Sequence, residues 1–211
     1  MASKRLGLAL IVSAPSGTGK STLIRRLLAE FPGLGFSVSC TTREPRPGER
    51  DGEDYIFLKE TQFKQLIDQN HFAEWAMVHG NYYGTPKQAV FDALANGRDV
   101  IFDIDVQGAK ALRANLGIGR TVFILPPSRQ ALGERLTGRG SDSPSIIAKR
   151  LDNAKGEIEQ ALWFDHIIVN NDVAVAADEL RAVYLAERAT PALYPGLVES
   201  ILASWPHSGN A

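Results

Sequence analysis

One short segment constrains the fold of this chain more than any other, Ala14-Pro15-Ser16-Gly17-Thr18-Gly19-Lys20-Ser21. It matches the phosphate-binding pattern G-x-x-x-x-G-K-[ST], with alanine in place of the first glycine. The apolar run at residues 6–13 predicts a buried strand, and apolar side chains at helical spacing predict a helix over residues 19–31. A buried strand, a glycine-rich turn and a helix in this order are the context that a phosphate-binding loop requires.

The residues of this loop suit the binding of nucleotide phosphates. Gly17 and Gly19 allow positive φ, so backbone N–H groups can converge on an anion at the start of the helix. The pattern predicts that Lys20 reaches the β- and γ-phosphates of ATP and that the Ser21 hydroxyl contacts Mg²⁺. The predicted ATP-binding loop comprises Ala14, Pro15, Ser16, Gly17, Thr18, Gly19, Lys20, Ser21 and Thr22. The loop alone leaves the phosphate acceptor open, because GTPases, motors, transporters and small-molecule kinases all carry it.

Further apolar runs predict buried strands over residues 100–105, 121–125 and 166–169, and helical segments separate them. Buried strands that alternate with helices predict an α/β fold, a P-loop doubly wound parallel sheet with helices on both faces. Ligands of such sheets bind beyond the carboxyl ends of the strands, which is where Asp103, Asp105 and Asn170 fall. The fold therefore places these polar residues next to the loop.

The pattern changes over residues 36–85, which predict a small antiparallel insert. Its predicted elements are a half-buried strand at 36–40, a charged loop at 43–54, a strand at 55–59, a short helix at 61–69, a further element at 72–78 and a turn at 79–81. The predicted domains are a core at 1–35, 86–127 and 163–190, the insert at 36–85, a helical lid and following helix at 128–162, and a tail at 191–211. A short amphipathic helix in the tail either packs on the core or binds a partner.

Composition and charge exclude several classes of function. The net charge is −1, so the chain lacks the overall basic character of nucleic-acid-binding domains. The single cysteine, Cys40, precludes an intrachain disulfide and is expected to be a small buried side chain in a reducing compartment. Lys4, Arg5 and the apolar run after them outline a signal peptide, but cleavage there would destroy the phosphate loop. No run approaches the ~20 apolar residues of a membrane span, so we expect a soluble cytoplasmic protein.

A cluster of cationic side chains follows the strand at 36–40. Arg43, Arg46 and Arg50 lie close together, and Pro45 and Pro47 keep them on an extended loop rather than a helix. Guanidinium groups bind phosphate oxygens in pairs, which predicts a second phosphate site. Acidic neighbours leave a second interpretation open, a solvated loop whose charges cancel: Glu44, Glu49, Asp51 and Glu53.

Longer patterns point to a family. The segments Ser39-Cys40-Thr41-Thr42-Arg43-x-Pro45-Arg46-x-Gly48-Glu49 and Asp51-Gly52-x-Asp54-Tyr55-x-Phe57 closely resemble guanylate kinases. Further matches are Phe72-Ala73-Glu74-Trp75-Ala76, Gly80-Asn81-Tyr82-Tyr83-Gly84-Thr85, Asp103-Ile104-Asp105-x-Gln107-Gly108, Gly138-Arg139-Gly140, Lys149-Arg150-Leu151 and Val169-Asn170-Asn171-Asp172. The resemblance covers residues 8–188 in order. Ala14, Cys40 (where a serine is common) and the tail depart from it, and the role of the tail stays open.

The resemblance implies a kinase that transfers a phosphoryl group from ATP to GMP or dGMP. It implies that the GMP phosphate is held by Arg43, Arg46, Tyr55 and Tyr83, and that Glu74 reads guanine with Ser39 and Thr85. Taken alone, Glu74 would be read as an exposed glutamate. The chemistry supports the first interpretation, since guanine offers two adjacent donors to one carboxylate. Adenine presents an acceptor at N1, and leaving a buried Glu74 unpaired costs ~1–3 kcal/mol or more.

Asp103 and Asp105 lie two apart on a strand and therefore share a face. Asp103 follows an apolar run and suits a Mg²⁺-bound water or Lys20, whereas Asp105 suits the acceptor site around Arg43 or the base; which residue does which stays open. With Ser21, Asp103 forms the predicted metal site. The resemblance implies lid arginines that close over the moving phosphoryl group, Arg135, Arg139 and Arg150, and a contact of Asn170 with adenine. The predicted catalytic residues are Lys20, Arg43, Arg139 and Arg150.

The predicted reaction needs no general base, because the acceptor is a phosphate monoester whose second pKa is about 6. Mg²⁺ is the expected cofactor, and ATP and GMP are the expected partners, without nucleic acid or membrane; homo-oligomerisation stays open. Two alternatives remain. A guanylate-kinase-like scaffold domain without activity usually lacks the loop lysine or the lid arginines, which are present here. A sugar-phosphate kinase would not need Glu74, Tyr55 and Tyr83 together.

Overall fold

The computed structural model describes residues 5–78, 80–117, 119–138 and 143–205. Within these residues the strands are β1 (Ala9–Ser13), β2 (Gly35–Phe36), β3 (Ser39–Thr41), β4 (Tyr55–Phe57), β5 (Phe72–Val78), β6 (Asn81–Pro86), β7 (Val100–Asp103), β8 (Arg120–Leu125) and β9 (His166–Val169). The α-helices are α1 (Lys20–Glu30), α2 (Glu60–Asp68), α3 (Lys87–Ala95), α4 (Val106–Leu116), α5 (Arg129–Thr137), α6 (Pro144–Ile158), α7 (Val173–Glu187) and α8 (Leu197–Leu202). Short 3₁₀ turns lie at Ala161–Trp163 and Pro191–Leu193.

The main sheet has the strand order β2-β7-β1-β8-β9, and every neighbouring pair is parallel. Its central strand β1 is buried along its whole length. Leu10 and Val12 face a core shared with α1 and α7, whereas Ala9 and Ile11 face a core shared with α3 and α4. Apolar residues on both faces of one strand are the mark of a sheet covered by helices on both sides. The predicted doubly wound α/β fold is confirmed.

A second sheet, of order β4-β3-β6-β5, packs α2 against one face through Cys40, Phe63 and Phe72. The sheet is mixed, because β3 and β4 run parallel while β6 is antiparallel to both β3 and β5. The long charged loop between β3 and β4 explains this departure from the expected antiparallel insert. A tight hairpin requires antiparallel neighbours, whereas a long connection lets the chain return in the same direction.

The prediction of a single strand at residues 36–40 is wrong, because this segment contributes to two strands. Gly35 and Phe36 pair with β7 in the main sheet, and Ser39–Thr41 belongs to the second sheet. Alternation of apolar and polar residues continues across the break, but the hydrogen-bonding partners change at Ser37 and Val38. The chain crosses from one sheet to the other at this point.

The buried thiol of Cys40 lies in the second sheet, 3% exposed. Burial raises its pKa to about 11, and the negative charge of Asp51 adds to the shift. This environment agrees with the expected role of Cys40 as a small core residue rather than a nucleophile.

The tail divides into two parts. Leu193 is buried in the main core, and its carbonyl accepts a 2.8 Å hydrogen bond from the N–H of Leu6. In contrast, Ile201 and Trp205 are 51% and 67% exposed, so α8 and residues 203–205 after it do not pack on the core. Within the described ranges, no helix combines the length and apolar character needed to cross a membrane.

Candidate active site

The phosphate loop connects the carboxyl end of β1 to the first turn of α1. Gly17 and Gly19 have φ values of 94° and 99°, and Gly19 is the N-cap of α1. Such angles are costly for residues with a side chain, which explains glycine at both positions. Ala14 is nearly buried and is not among the residues with positive φ, so its methyl group is compatible with the loop.

Asp103 links the two residues of the loop that are expected to face ATP and its metal ion. Its Oδ1 forms an ion pair with Nζ of Lys20, and its Oδ2 accepts a 3.2 Å hydrogen bond from Oγ of Ser21. Nζ of Lys20 also donates to the carbonyl of Ile104 at 3.2 Å. Asp105 instead caps α4, where its Oδ1 accepts a 2.9 Å hydrogen bond from the N–H of Gly108. Asp103 therefore contacts the phosphate loop, whereas Asp105 contacts the first turn of α4.

The carbonyl of Thr18 accepts hydrogen bonds from two side chains. It accepts hydrogen bonds from Nδ2 of Asn170 at 2.7 Å and from Nη1 of Arg135 at 3.3 Å. Nη2 of Arg135 also donates to the carbonyl of Asn170 at 2.8 Å. Asn170 is 1% exposed. A Cβ added at Gly19 would lie only 2.5 Å from Nδ2 of Asn170, so a side chain at position 19 would clash with this amide. The amide of Asn170 therefore contacts the backbone of the phosphate loop.

The acceptor half of the site centres on Glu74, which is 4% exposed on β5. Its Oε1 accepts a 2.6 Å hydrogen bond from Oγ1 of Thr85, the residue opposite it on β6. Burial raises the pKa of Glu74 to about 7, the Thr85 hydrogen bond opposes this shift, and the charge of Asp105 adds to it. A buried carboxylate with unused acceptor positions suits a ligand that supplies donors.

The arginine loop is organised by Glu49. Nη2 of Arg43 lies 2.9 Å from each Glu49 oxygen, and the N–H of Arg46 donates to Glu49 Oε2 at 2.7 Å. The Arg43 guanidinium carbon also lies 5.3 Å from the ring centre of Tyr55. The expected charge neutralisation of this loop therefore occurs at Arg43, while the Arg46 side chain faces the cavity.

A cavity of about 430 Å³ joins the two halves. Fifteen of the site residues predicted from the sequence line this cavity. They are Ala14, Pro15, Ser16, Gly17, Gly19, Lys20, Ser21 and Thr22 of the phosphate loop, and Ser39, Arg46, Tyr55, Glu74, Tyr83, Asp103 and Asp105 from other segments. Other predicted residues that the structure describes lie outside this lining: Thr18, Arg43, Thr85, Arg135, Arg150 and Asn170. Arg139, like Gly140, lies outside the described residues.

The cavity also contains residues that sequence reasoning missed: Arg25, Ala76, Val78, Ile104 and Glu157. Glu157 is half-buried on α6, and burial raises its pKa to about 7, with a further increase from Asp105 and a decrease from Lys20. The sequence offered one indication that Glu157 could belong to the site. It lies two helical turns after Arg150, so the two residues share one face of α6.

The donor groups at the loop fit a hard metal ion. Ser21 and Asp103 supply a hydroxyl and a carboxylate beside the loop. Mg²⁺ characteristically binds one or two carboxylates and completes its coordination with phosphates and water. Among the described residues there is no group of three or more His, Cys, Asp or Glu side chains arranged to hold a metal by themselves. This donor set therefore suits a metal ion that arrives with a nucleotide.

Comparisons with known proteins give a consistent result. The family model described as guanylate kinase matches residues 7–187. The guanylate kinase of Nitratidesulfovibrio vulgaris (strain Hildenborough) is 54% identical over 205 residues, which cover 97% of this chain and 99% of that protein. The guanylate kinase of Lawsonia intracellularis is 50% identical over 202 residues, with 96% and 95% covered. The crystal structure of guanylate kinase from Anaplasma phagocytophilum superposes with a TM-score of 0.82 at 30% identity, covering 98% and 99% of the two chains.

Proposed function

The chain belongs to the guanylate kinase family and is an ATP-dependent GMP phosphotransferase, and we propose that this reaction takes place in the cavity shared by the phosphate loop and the second sheet. One observation carries the proposal: Lys20, the first residue of α1 after the phosphate loop, and Glu74, on β5 of the second sheet, line the same cavity. A donor site and an acceptor site that open into one space meet the first requirement of direct transfer.

We assign the donor side to the phosphate loop. Backbone N–H groups at the start of α1 would hold the ATP phosphates, and Lys20 would neutralise the β- and γ-phosphates. Ser21 and Asp103 would hold Mg²⁺, which supplies further neutralisation of phosphate charge when bound. Asn170 and Arg135 support this side indirectly, because both hold the carbonyl of Thr18.

On the acceptor side we assign guanine recognition to Glu74. Its carboxylate would accept hydrogen bonds from N1–H and N2–H₂ of guanine, with hydroxyls of Ser39 and Thr85 close to the same region of the second sheet. Arg46, Tyr55 and Tyr83 line the cavity and would hold the GMP phosphate. Arg43 joins them as a proposed phosphate ligand, and its approach requires rearrangement of its pair with Glu49. Asp105 lies at the base-binding end.

The transfer follows from positioning and charge neutralisation. A phosphate oxygen of GMP attacks the γ-phosphorus of ATP, a new P–O bond forms, and the bond to the β–γ bridging oxygen breaks with its electrons passing to ADP. The attacking oxygen is largely ionised at pH 7, because the second pKa of a phosphate monoester is about 6. No protein group has to remove a proton. Lys20 and the proposed arginines, Arg43, Arg139 and Arg150, would neutralise the moving group.

The domain division remains a proposal. Residues 36–85 would act as the acceptor-binding unit and residues 128–162 as the lid, and the helices α5 and α6 of that segment pack on each other through Leu132, Leu136 and Ala154. The cytoplasm is the proposed location, where both nucleotides occur and the lone buried thiol of Cys40 stays reduced.

An ADP-release assay with a panel of nucleoside monophosphates tests the acceptor assignment. GMP and dGMP should be phosphorylated, whereas AMP, CMP and UMP should be poor substrates, since only guanine presents two donors to Glu74. Equal rates with GMP and AMP would contradict the role given to Glu74. The same assay distinguishes an active kinase from a silent scaffold domain, which would release no ADP with any acceptor.

A further inference from the structure

Gly108 lies between the two carboxylates of the acceptor side. It is buried in the first turn of α4, directly after the main-sheet strand β7. Its N–H donates to Oδ1 of Asp105 at 2.9 Å. A Cβ at this position would lie 3.0 Å from Oε2 of Glu74 and 3.1 Å from Oδ1 of Asp105. The absence of a side chain at Gly108 therefore leaves the space that the Glu74 carboxylate occupies.

The carboxylate of Glu74 has a neighbour at each oxygen. Oγ1 of Thr85 donates to its Oε1 at 2.6 Å, and its Oε2 lies 3.0 Å from the point where a Cβ on Gly108 would stand. Both Glu74 and Thr85 are buried, so neither side chain can move into solvent without opening the packed sheet. Glu74 also lines the cavity.

We propose that Gly108 is a specificity-determining residue, which positions the Glu74 carboxylate for two-donor recognition of the acceptor base. The inference rests on the proposed role of Glu74 in reading guanine. Hydrogen bonds to a purine edge require an oxygen placed to within a fraction of an ångström, and the space left by Gly108 allows that placement. Gly108 itself touches no substrate atom and acts through Glu74.

The choice of glycine here is otherwise unfavourable. Glycine in a helix costs roughly 0.5–1 kcal/mol relative to alanine, because the unfolded chain is more flexible. At Gly156, also in a helix, an added Cβ would meet nothing within 4 Å. Alanine at Gly108 would instead have to displace the carboxylate of Glu74 or of Asp105 by several tenths of an ångström. Both carboxylates line the cavity, so the displacement reaches the acceptor site directly.

Steady-state kinetics of Gly108→Ala test the inference, with Gly156→Ala as the matched control. We expect the KM for GMP to rise about ten-fold or more and the preference for GMP over AMP to fall, since small misplacements in a binding site cost up to about a hundred-fold. The kcat and the KM for ATP should stay within about two-fold of the wild type. Gly156→Ala should match the wild type in all four quantities.

A second comparison separates positioning from folding. In a Glu74→Asp background the carboxylate is shorter by one methylene and withdraws from Gly108, while Asp105 stays in place, so adding Gly108→Ala should raise the KM for GMP by a clearly smaller factor than it does in the wild type. Additive losses in the double variant, or failure of the double variant to fold, would show that Gly108 does not act through Glu74 and would overturn the inference.

The outcomes distinguish this inference from the proposed function. A wild-type protein that does not phosphorylate GMP would overturn the proposed function itself. An active wild type whose Gly108→Ala variant keeps the KM and base preference of Gly156→Ala would overturn only the inference about Gly108.

Discussion

Oγ1 of Thr85 donates a 2.6 Å hydrogen bond to Oε1 of Glu74, and the two residues face each other across β5 and β6. The bond lowers the pKa of Glu74, but burial has the larger effect and brings the value to about 7. The carboxyl group is therefore close to half ionised at neutral pH. With the proposed role of Glu74, recognition of the acceptor base would be linked to a proton on the enzyme.

The KM for GMP should depend on pH. Only ionised Glu74 accepts hydrogen bonds from both guanine donors, so as the pH falls below about 7 the KM should rise, approaching ten-fold per pH unit. The KM for ATP should change little over the same range. Steady-state kinetics between pH 5.5 and 8.5 provide the measurement.

Glu74→Gln is the control for that experiment. The variant keeps the ionisation of the GMP phosphate, whose second pKa is about 6, and loses the ionisation of the enzyme group. Its KM for GMP should be higher at pH 8 and less dependent on pH. An unchanged pH profile in Glu74→Gln would assign the whole dependence to the substrate.

Glu74→Gln should also make the protein more stable at alkaline pH. The folded-state pKa of about 7 exceeds the ordinary value of 4.5, so the folded chain binds a proton that the unfolded chain releases. The wild-type free energy of unfolding therefore decreases as the pH rises between these values, by on the order of 2 kcal/mol. Thermal melts at about pH 5 and pH 8 should show a gain for Glu74→Gln that grows with pH. A variant less stable than the wild type at both pH values would contradict this account.

Thr85→Val should shift the pH profile in a defined direction. Valine preserves the shape of the side chain and removes the hydrogen bond that lowers the pKa of Glu74. The midpoint of the KM profile should move to higher pH, and the KM for GMP at pH 7 should rise, while the KM for ATP stays constant. Thr190→Val serves as the control, because that hydroxyl binds the carbonyl of Glu187, far from the second sheet. Identical profiles for both variants would dissociate Thr85 from the ionisation of Glu74.

Lys20→Ala should reduce kcat by about a thousand-fold or more, since it removes a fixed charge from the transferring phosphoryl group. Its melting temperature should change little, because the ion pair with Asp103 is partly exposed and contributes modestly. Lys64→Ala is the matched control, since Lys64 pairs with Glu60 on the surface of α2. Full kcat in a folded Lys20→Ala protein would refute the donor-side assignment.

Asn170→Ala should raise the KM for ATP about ten-fold and destabilise the protein by ~1–3 kcal/mol, because Thr18 loses one of its buried donors. The KM for GMP should be unaffected. Asn171→Ala tests specificity at the neighbouring, exposed position. If ATP binding were equally weakened in both variants, the support of Thr18 by Asn170 would not explain the effect.

The main sheet was predictable because its signals are local. A run of apolar residues followed by glycines and a lysine describes β1, the loop and α1 without reference to any other part of the chain. The same locality explains the error at residues 36–40. The alternating pattern there is real, but the partners of Phe36 and Ser39 belong to different sheets, and pairing is a property of distant segments.

The proposed acceptor residues come from the family resemblance, not from periodicity. Glu157 and Gly108 were not predicted as site residues, since each lies in a helix whose sequence suggests nothing more than a surface or a packing position. Glu157 reaches the cavity, and Gly108 comes next to Glu74, only through the tertiary placement of α6 and α4. The hydrogen bond from Nδ2 of Asn170 to the carbonyl of Thr18 likewise joins segments far apart in sequence, and no local pattern predicts it.

The buried thiol of Cys40 can report how often the second sheet opens. The chain contains a single cysteine, and with a pKa of about 11 only about one thousandth of it is the reactive thiolate at pH 8. An alkylating reagent can therefore label the native chain only during moments when the second sheet opens. Mass spectrometry of the unmodified sequence gives the rate of Cys40 alkylation, which measures the rate of those openings. A lower alkylation rate in the presence of GMP would measure how far the bound acceptor slows the opening.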